Sequence, residues 1–560
     1  MAQHHALSTI ELLDEIFHHL QPTPKATSCY RPFFTWIDRE GSSALARAAR
    51  VCKVFYAPAC RVLWQQMVNL EPLLPLVPLP KERRSCCNLT SLWHFRFMQP
   101  SASNSLERQT ASVCIDGAAW DRFRFYAAFV QVLVVKTSPC YVPLVKTLSK
   151  KLAMQQLFQL QGTIFPNLLF LTWTDELPVR LLSNSSQFLS PVLRGLCIAC
   201  SGRHCLSLPA NDCPWDSHIA ALFEQLATHS PALSKLHLTI SQPCSHWLTL
   251  PVTLLPQNRQ LSIRSLTLES YHDGTSSPQL NIPGLITLSQ MPRLNSLTLM
   301  PGLVFIPPGV HDRIDFPHLR ELRLYHRAGT CPPTLEIIKS TSLRTLFLEF
   351  NARNQTAFQQ ACSACVTAFP HLENFSGFVA SLKNEPTIRI IHPGLAISEL
   401  CAPLFRLPDI RSMTICSLNI VQVTDADLVT FSQAWPKLRL LNILPVFQKD
   451  DSPSVSYSGV LHFLETLPDL VDLCLPRIEI TLENMRNTPP STTYRNLQWL
   501  SAKGLTETHL RTLQEELLPN LRVVPSLYAE RCGMFCVKTC RRDSDISPDL
   551  AHFLSCLAAV

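Results

Sequence analysis

From about residue 165 the chain returns to one phrase: an apolar residue, Pro, any residue, then Leu-x-x-Leu-x-Leu or a close variant. Copies start at Phe165 (FPNLLFLTW), Ser230 (SPALSKLHL), Met291 (MPRLNSLTL), Phe316 (FPHLRELRL), Trp435 (WPKLRLLNI) and Leu467 (LPDLVDLCL). Looser copies without the proline begin at Ile263, Leu343 and Leu497. The first aliphatic residue of each unit, from Leu233 to Leu521, recurs at intervals of 24 to 38 residues, the signature of stacked repeats. Residues two apart on a strand point to one side, so the last two leucines of each phrase share a face and the residue between them takes the other. Parallel stacking of such strands builds a continuous apolar interior. Ile219 to His229 and Asp427 to Ala434 carry helix-period apolar spacing and are expected behind the sheet. Proline before each strand is expected to set an extended approach without removing a ladder hydrogen bond. FVQVLVV, 129 to 135, is expected to begin the sheet, and the unit at Leu372 loses its last apolar residue at Gly377, which predicts a bend near Phe375.

The N-terminus has a different period. Ser8-Thr9-Ile10-Glu11 has the form of a capping box. Leu12, Leu13, Ile16, Phe17 and Leu20 follow on one helical stripe, and Pro22 and Pro24 stop the helix. A second helical stretch runs from Ala44 to Val51, and Pro58 suits the first turn of a third that carries Leu63 and Trp64. A unit of about 55 residues buries only about 60% of its unfolded surface and needs a neighbour. Either a partner protein or the chain's own repeats can supply it.

The order E-L-L-x-x-I-F-x-x-L, V-C-K-x-F-Y, A-x-x-x-L-W over residues 8 to 66 resembles an F-box of the kind abundant in fungi, with Ser8-Thr9 standing where that family carries Leu-Pro. The phrases over residues 165 to 524 resemble irregular leucine-rich repeats of the kind paired with F-boxes. The fold implied is α/β, an irregular leucine-rich repeat solenoid of parallel strands backed by helices, preceded by a small three-helix F-box-like domain. The expected organisation is the helical module over 1–70, a connection over 71–125, the repeats over 126–530, and a tail or cap over 531–560. The resemblance implies binding to the Skp1 adaptor, and through it to a cullin, by Leu12, Leu13, Ile16, Phe17, Leu20, Val51, Cys52, Phe55, Leu63 and Trp64. It also implies capture of a target protein by the repeats. The alternative is a repeat scaffold with a helical cap and no ligase role.

The residues between the strand leucines, among them Lys235, His237, Ser265, Thr267, Glu321, Arg323, Phe347, Asn442, Asp472, Cys474 and Trp499, are mostly small and polar. Arg and aromatic side chains supply much of the binding energy at protein interfaces, which singles out Arg323, Phe347 and Trp499 as target contacts.

Composition narrows the chemistry. With 46% hydrophobic and 16% charged residues the chain folds, and its 15 glycines form no phosphate-binding loop motif. The densest basic cluster, Lys81 to Arg84, holds three cations and Glu82, too little for nucleic-acid binding. The most apolar run, Phe125 to Val135, is too short to span a bilayer, and the amphipathic N-terminus does not read as a secretion signal. A cytoplasmic or nuclear protein is expected, with its 22 cysteines reduced and mostly serving as small core residues. Cys197, Cys200, Cys205 and Cys213 beside His204 lack the second close pair of a zinc site, Cys362 and Cys365 lack a redox-motif setting, and Cys532, Cys536 and Cys540 read as packing. The His4 and His18 pairs read as surface. No catalytic, metal or cofactor motif emerges.

Overall fold

The structure is a computed structural model. It describes residues 10–19, 39–67, 72–73, 117–136, 163–175, 188–200, 215–240, 255, 261–270, 282–299, 313–326, 331–351, 355–380, 396–417, 422–445, 454–481, 483, 494, 496–503, 505, 507–516 and 518–521. The expected capping box at Ser8, Leu20, Lys81 to Arg84, Cys205, Cys213 and the tail over 531–560 lie outside these residues. The protein is α/β, and its sheet strands pair in parallel. The chain forms two compact units, Met1–Pro278 and Gln279–Val560.

In the first unit, helices α1 (Ile10–His19), α2 (Arg39–Ala48) and α3 (Lys53–Gln65) lead directly into strand β1 (Gln66–Met67). Helix α4 (Gly117–Ala127) precedes β2 (Val132–Lys136), followed by β3 (Phe170–Asp175), β4 (Gly195–Cys200), α5 (Trp215–His229), β5 (Lys235–Ile240) and β6 (Ser265–Ser270). The strands pair consecutively from β1 to β6. The expected strand at 129 to 135 is therefore second: the end of α3 supplies a short strand ahead of it. Helix α4 also occupies the end of what was expected to be a connection.

In the second unit the described elements are α6 (Ile282–Ser289), β7 (Ser296–Leu299), β8 (Ile314–Asp315), β9 (Glu321–His326), α7 (Cys331–Ile337), β10 (Ile338–Lys339), β11 (Thr345–Asn351), α8 (Gln355–Ala368), β12 (Asn374–Ala380), α9 (Ile397–Cys401), β13 (Ser412–Ser417), α10 (Asp425–Ala434), β14 (Leu440–Pro445), β15 (Val455–Ser456), α11 (Tyr457–Thr466), β16 (Asp472–Glu479), β17 (Trp499–Lys503) and α12 (Glu507–Glu516). The order in the main sheet is β7-β9-β11-β12-β13-β14-β16, with β15 and β17 both on β16, while β8 and β10 form a separate pair.

Register explains the core. Leu171, Leu196, Leu236 and Leu266 are direct neighbours across the first unit, and Leu322, Leu346, Phe375, Met413, Leu441, Leu473 and Leu500 form the matching column in the second. All are at most 6% exposed. The buried sides of the helices, such as Leu222 and Phe223 in α5 or Phe358, Cys362 and Cys365 in α8, complete the interior.

The proline of the phrase does not extend the chain. Leu168, Leu294, Leu319, Leu372, Leu438 and Leu470 each donate a backbone N–H to the carbonyl three residues earlier, on the apolar residue before the proline. That is a β-turn with proline at its second position, which a fixed φ near −65° favours. The residue opening the turn is itself core: Phe165, Phe316, Phe369 and Trp435 are buried. Where serine stands there, its hydroxyl is satisfied by the preceding repeat: Ser230 Oγ donates to the Ser190 carbonyl at 3.0 Å and Ser340 Oγ to the Leu319 carbonyl at 3.0 Å. The expected bend near Phe375 is absent, because β12 pairs with β11 and β13 without a break. The Phe375 ring lies within 3.0 Å of where a Gly377 Cβ would sit, so it fills the space of the missing leucine. The irregularity falls instead between Leu475 and Arg477, where Pro476 has no N–H to give the ladder.

Candidate interaction surfaces

Two residues of the N-terminal stripe face inward and two outward. Leu13 and Phe17 form a small core with Leu45, Ala59 and Val62, and Phe55 and Leu63 pack against it. The Phe17 and Phe55 rings meet edge-on at 5.7 Å, and Arg61 ties α3 to Asp14 of α1. Leu12 and Ile16, one helical turn apart, stay 43% and 40% exposed, and Val51 and Val54 remain exposed, as does Cys52. Two of these apolar side chains sit on α1 and the others at the α2–α3 junction. Trp64 points elsewhere, its ring packed at a tilt against Tyr126 of α4 with centroids 4.7 Å apart. Tyr56 hydrogen-bonds the Tyr126 hydroxyl, and Gln65 Nε2 donates to Gln131 Oε1 at 2.6 Å, so α3 is fastened to the start of the sheet.

The intervening strand positions vary in exposure along each unit, and in the second Asp472 and Cys474 are buried. In the second unit Glu321, Arg323, Phe347, Asn442 and Trp499 are half-buried. Arg323 and Phe347 are direct neighbours on β9 and β11; Arg323 pairs with Glu321 at 2.6 Å and Phe347 packs on Tyr325 at 5.2 Å. Trp499 lies five strands from Phe347, about 24 Å at the usual ~4.8 Å spacing. The structure thus brings together Arg323 and Phe347 and leaves Trp499 apart from them.

In the first unit this face is closed around His237, while Lys235 at the same face stays exposed. Cys197, His237, Thr239 and Glu269, on three neighbouring strands, are all at most 6% exposed. His237 Nε2 is 3.2 Å from Glu269 Oε2 and 2.9 Å from Thr239 Oγ1, which also donates to Glu269 Oε2 at 3.3 Å. Cys197 is the register neighbour of His237. Burial pushes the imidazole pKa down, but the neighbouring Cys197 and Glu269 outweigh it and carry it up to about 10. His237 was expected as an open polar position; the carboxylate beside it follows only from register, which places Glu269 against Thr239.

Two large cavities open on the second unit. One, about 490 Å³, is lined by Arg411, Lys437, Arg439, Asp469, Asn496 and Gln498 among others; the other, about 590 Å³, by Arg313, Glu336, Lys339 and residues of α8. Neither lining contains a histidine or a cysteine. Among the described residues no three His, Cys, Asp or Glu side chains are arranged to hold a metal ion, and no helix is long and apolar enough to cross a membrane. No protein-family model matches the sequence, and no curated protein matches it significantly.

Proposed function

We propose that this chain is a non-catalytic adaptor: the substrate-recognition subunit of a Skp1–cullin–F-box ubiquitin ligase, acting in the cytoplasm or nucleus. The N-terminal helices act as an F-box that docks Skp1 through Leu12, Ile16, Val51, Cys52 and Val54, and a leucine-rich repeat solenoid holds a target protein beside Arg323 and Phe347. The chain itself needs no cofactor, acid, base or nucleophile. It raises the local concentration of target lysines near enzymes carried by its partners. The observation that carries this reading is the pair Leu12 and Ile16, apolar and exposed on a helix whose Leu13 and Phe17 already have a core. Adjacent apolar side chains left exposed together mark a surface that a partner can cover.

Co-expression with Skp1 tests it. Leu12→Ser with Ile16→Ser should abolish co-purification while circular dichroism and thermal melting stay as in the parent. Leu13 and Phe17 are unsuitable, since truncating a buried Leu or Phe costs about 2–5 kcal/mol and would unfold so small a module. If the parent protein brings down no Skp1, the adaptor reading fails.

A second reading, a helical cap on a repeat scaffold without ligase role, draws on the Trp64–Tyr126 packing, the Gln65–Gln131 hydrogen bond and the β1–β2 pairing. In that reading the module's neighbour is the sheet itself.

A further inference from the structure

Each repeat places one residue just before its strand, at the edge where the turns lie. In the second unit this position is held in turn by Asn295, Arg320, Arg344, Glu373, Arg411, Arg439, Val471 and Gln498, and along its charged stretch each N–H donates to the carbonyl of the one before: Arg344 to Arg320 at 2.9 Å, Glu373 to Arg344 at 2.9 Å, Arg411 to Glu373 at 2.7 Å, Arg439 to Arg411 at 2.7 Å. The backbone ladder therefore fixes a row of four guanidinium groups and one carboxylate along about 19 Å, at ~4.8 Å per rung. Lys437 joins them from the adjoining turn. Five cations thus stand against Glu373, Asp409 and Asp469, and the carboxylates are unevenly committed. Glu373 sits 3.4 Å from Arg344 Nε and 3.8 Å from Arg411 Nε, and Asp409 is 2.7 Å from Lys437 Nζ. Among the described residues Arg320 and Arg439 have no acidic partner, and both are exposed. The field of the row is felt by its own acid: Lys437, with His371 and Arg344 behind it, holds the Asp409 carboxyl below its ordinary range. At the end of the row, Arg411, Lys437 and Arg439 wall the 490 Å³ cavity, with Asn496 and Gln498 adding amide groups.

We propose that this edge binds an acidic, extended peptide segment of a partner protein, whose carboxylates pair with Arg320 and Arg439 and whose end is anchored in the cavity beside Arg439. Guanidinium groups suit carboxylates because they offer paired donors in one plane. The interspersed Glu373, Asp409 and Asp469 tell against a nucleic acid, whose evenly spaced phosphates would meet them, whereas a peptide can place its acids around them. The site is separate from the helical module and stands whether or not that module docks Skp1.

The test uses the full chain and a fluorescent peptide of about ten residues, Asp and Glu alternating with Ser, long enough to span the row at ~3.3 Å per residue. Anisotropy should report binding that weakens with added salt. Arg320→Gln with Arg439→Gln, both exposed and free to change without disturbing the core, should weaken it about tenfold, as two surface ion pairs would. Glu373→Gln should tighten binding by releasing Arg344 and Arg411. Arg122→Gln with Arg124→Gln, exposed on α4, should leave it unchanged. No binding at low salt, equal affinity for the Arg320/Arg439 variant, or tighter binding of an oligothymidylate of matching length would each overturn the proposal.

Discussion

His237 is held inside a sheet face by Glu269 and Thr239, and with its pKa raised to about 10 its proton is part of what keeps the first unit folded. A group whose folded pKa lies above its unfolded value contributes fully below the unfolded value and loses that contribution as pH rises through the folded one. For His237 the window runs from an unfolded value of about 6.5 up to about 10. Urea midpoints of the parent protein should therefore fall across that range by an amount worth at least about 1 kcal/mol, and His237→Gln should flatten the slope while lowering stability near pH 6. If parent and variant lose stability in parallel as pH rises, the ring is not the titrating group. At the same scale, Leu12 and Leu13 show why a residue's role is hard to assign from spacing. Both belong to an apolar stripe of period three and four, but adjacent residues lie 100° apart on a helix, and only packing against α3 decides that Leu13 is core and Leu12 is not.

The strands were legible as elements because most carry two inward apolar residues, usually leucines, at a spacing of two, and α5 and α10 because theirs follow a period near 3.6. The turns were less so. Proline is compatible both with an extended strand approach and with the second position of a β-turn, and only the Leu N–H bonded three residues back distinguishes them. Links between helices were invisible, since they join residues about thirty apart by side-chain hydrogen bonds. Asp425, in the first turn of α10, accepts from the Ser456 N–H at 2.8 Å and its hydroxyl at 2.6 Å, while Ser456 Oγ caps α11 by accepting from the Gly459 N–H at 2.9 Å. A Cβ on Gly459 would overlap the Asp425 carboxylate. Helix propensity alone favours Gly459→Ala by about 1 kcal/mol. Displacing Asp425 breaks two hydrogen bonds to a partly buried carboxylate, one to each oxygen, so the net expectation is a loss of about 1–2 kcal/mol in urea unfolding. In an Asp425→Ala background the same glycine change should become neutral or stabilising, the non-additivity expected of residues in contact. Additive effects would mean that the carboxylate is not what limits residue 459.

At the scale of the whole chain, surfaces emerge only when repeats are stacked. The net charge of +7 over 560 residues gives no hint of a basic region, because its arginines come singly from separate repeats and meet only through the ladder. The closing of the strand face around His237 is equally a product of stacking. The same logic bears on the N-terminal helices. Residues 66 and 67 continue α3 as the strand that pairs with β2, so the module covers an edge of the sheet that would otherwise expose unpaired N–H and C=O groups at Val132 and Leu133. Open strands of this kind recruit other chains. A protein beginning at residue 68 should therefore associate or precipitate in size-exclusion chromatography at concentrations where the full chain is monodisperse. The Leu12→Ser/Ile16→Ser protein, whose helices still cover that edge, should elute as the parent does. A truncated protein that stays monodisperse with an unchanged unfolding midpoint would show that α1 to α3 contribute nothing to the sheet, which would remove the cap reading and leave partner docking as the module's sole role.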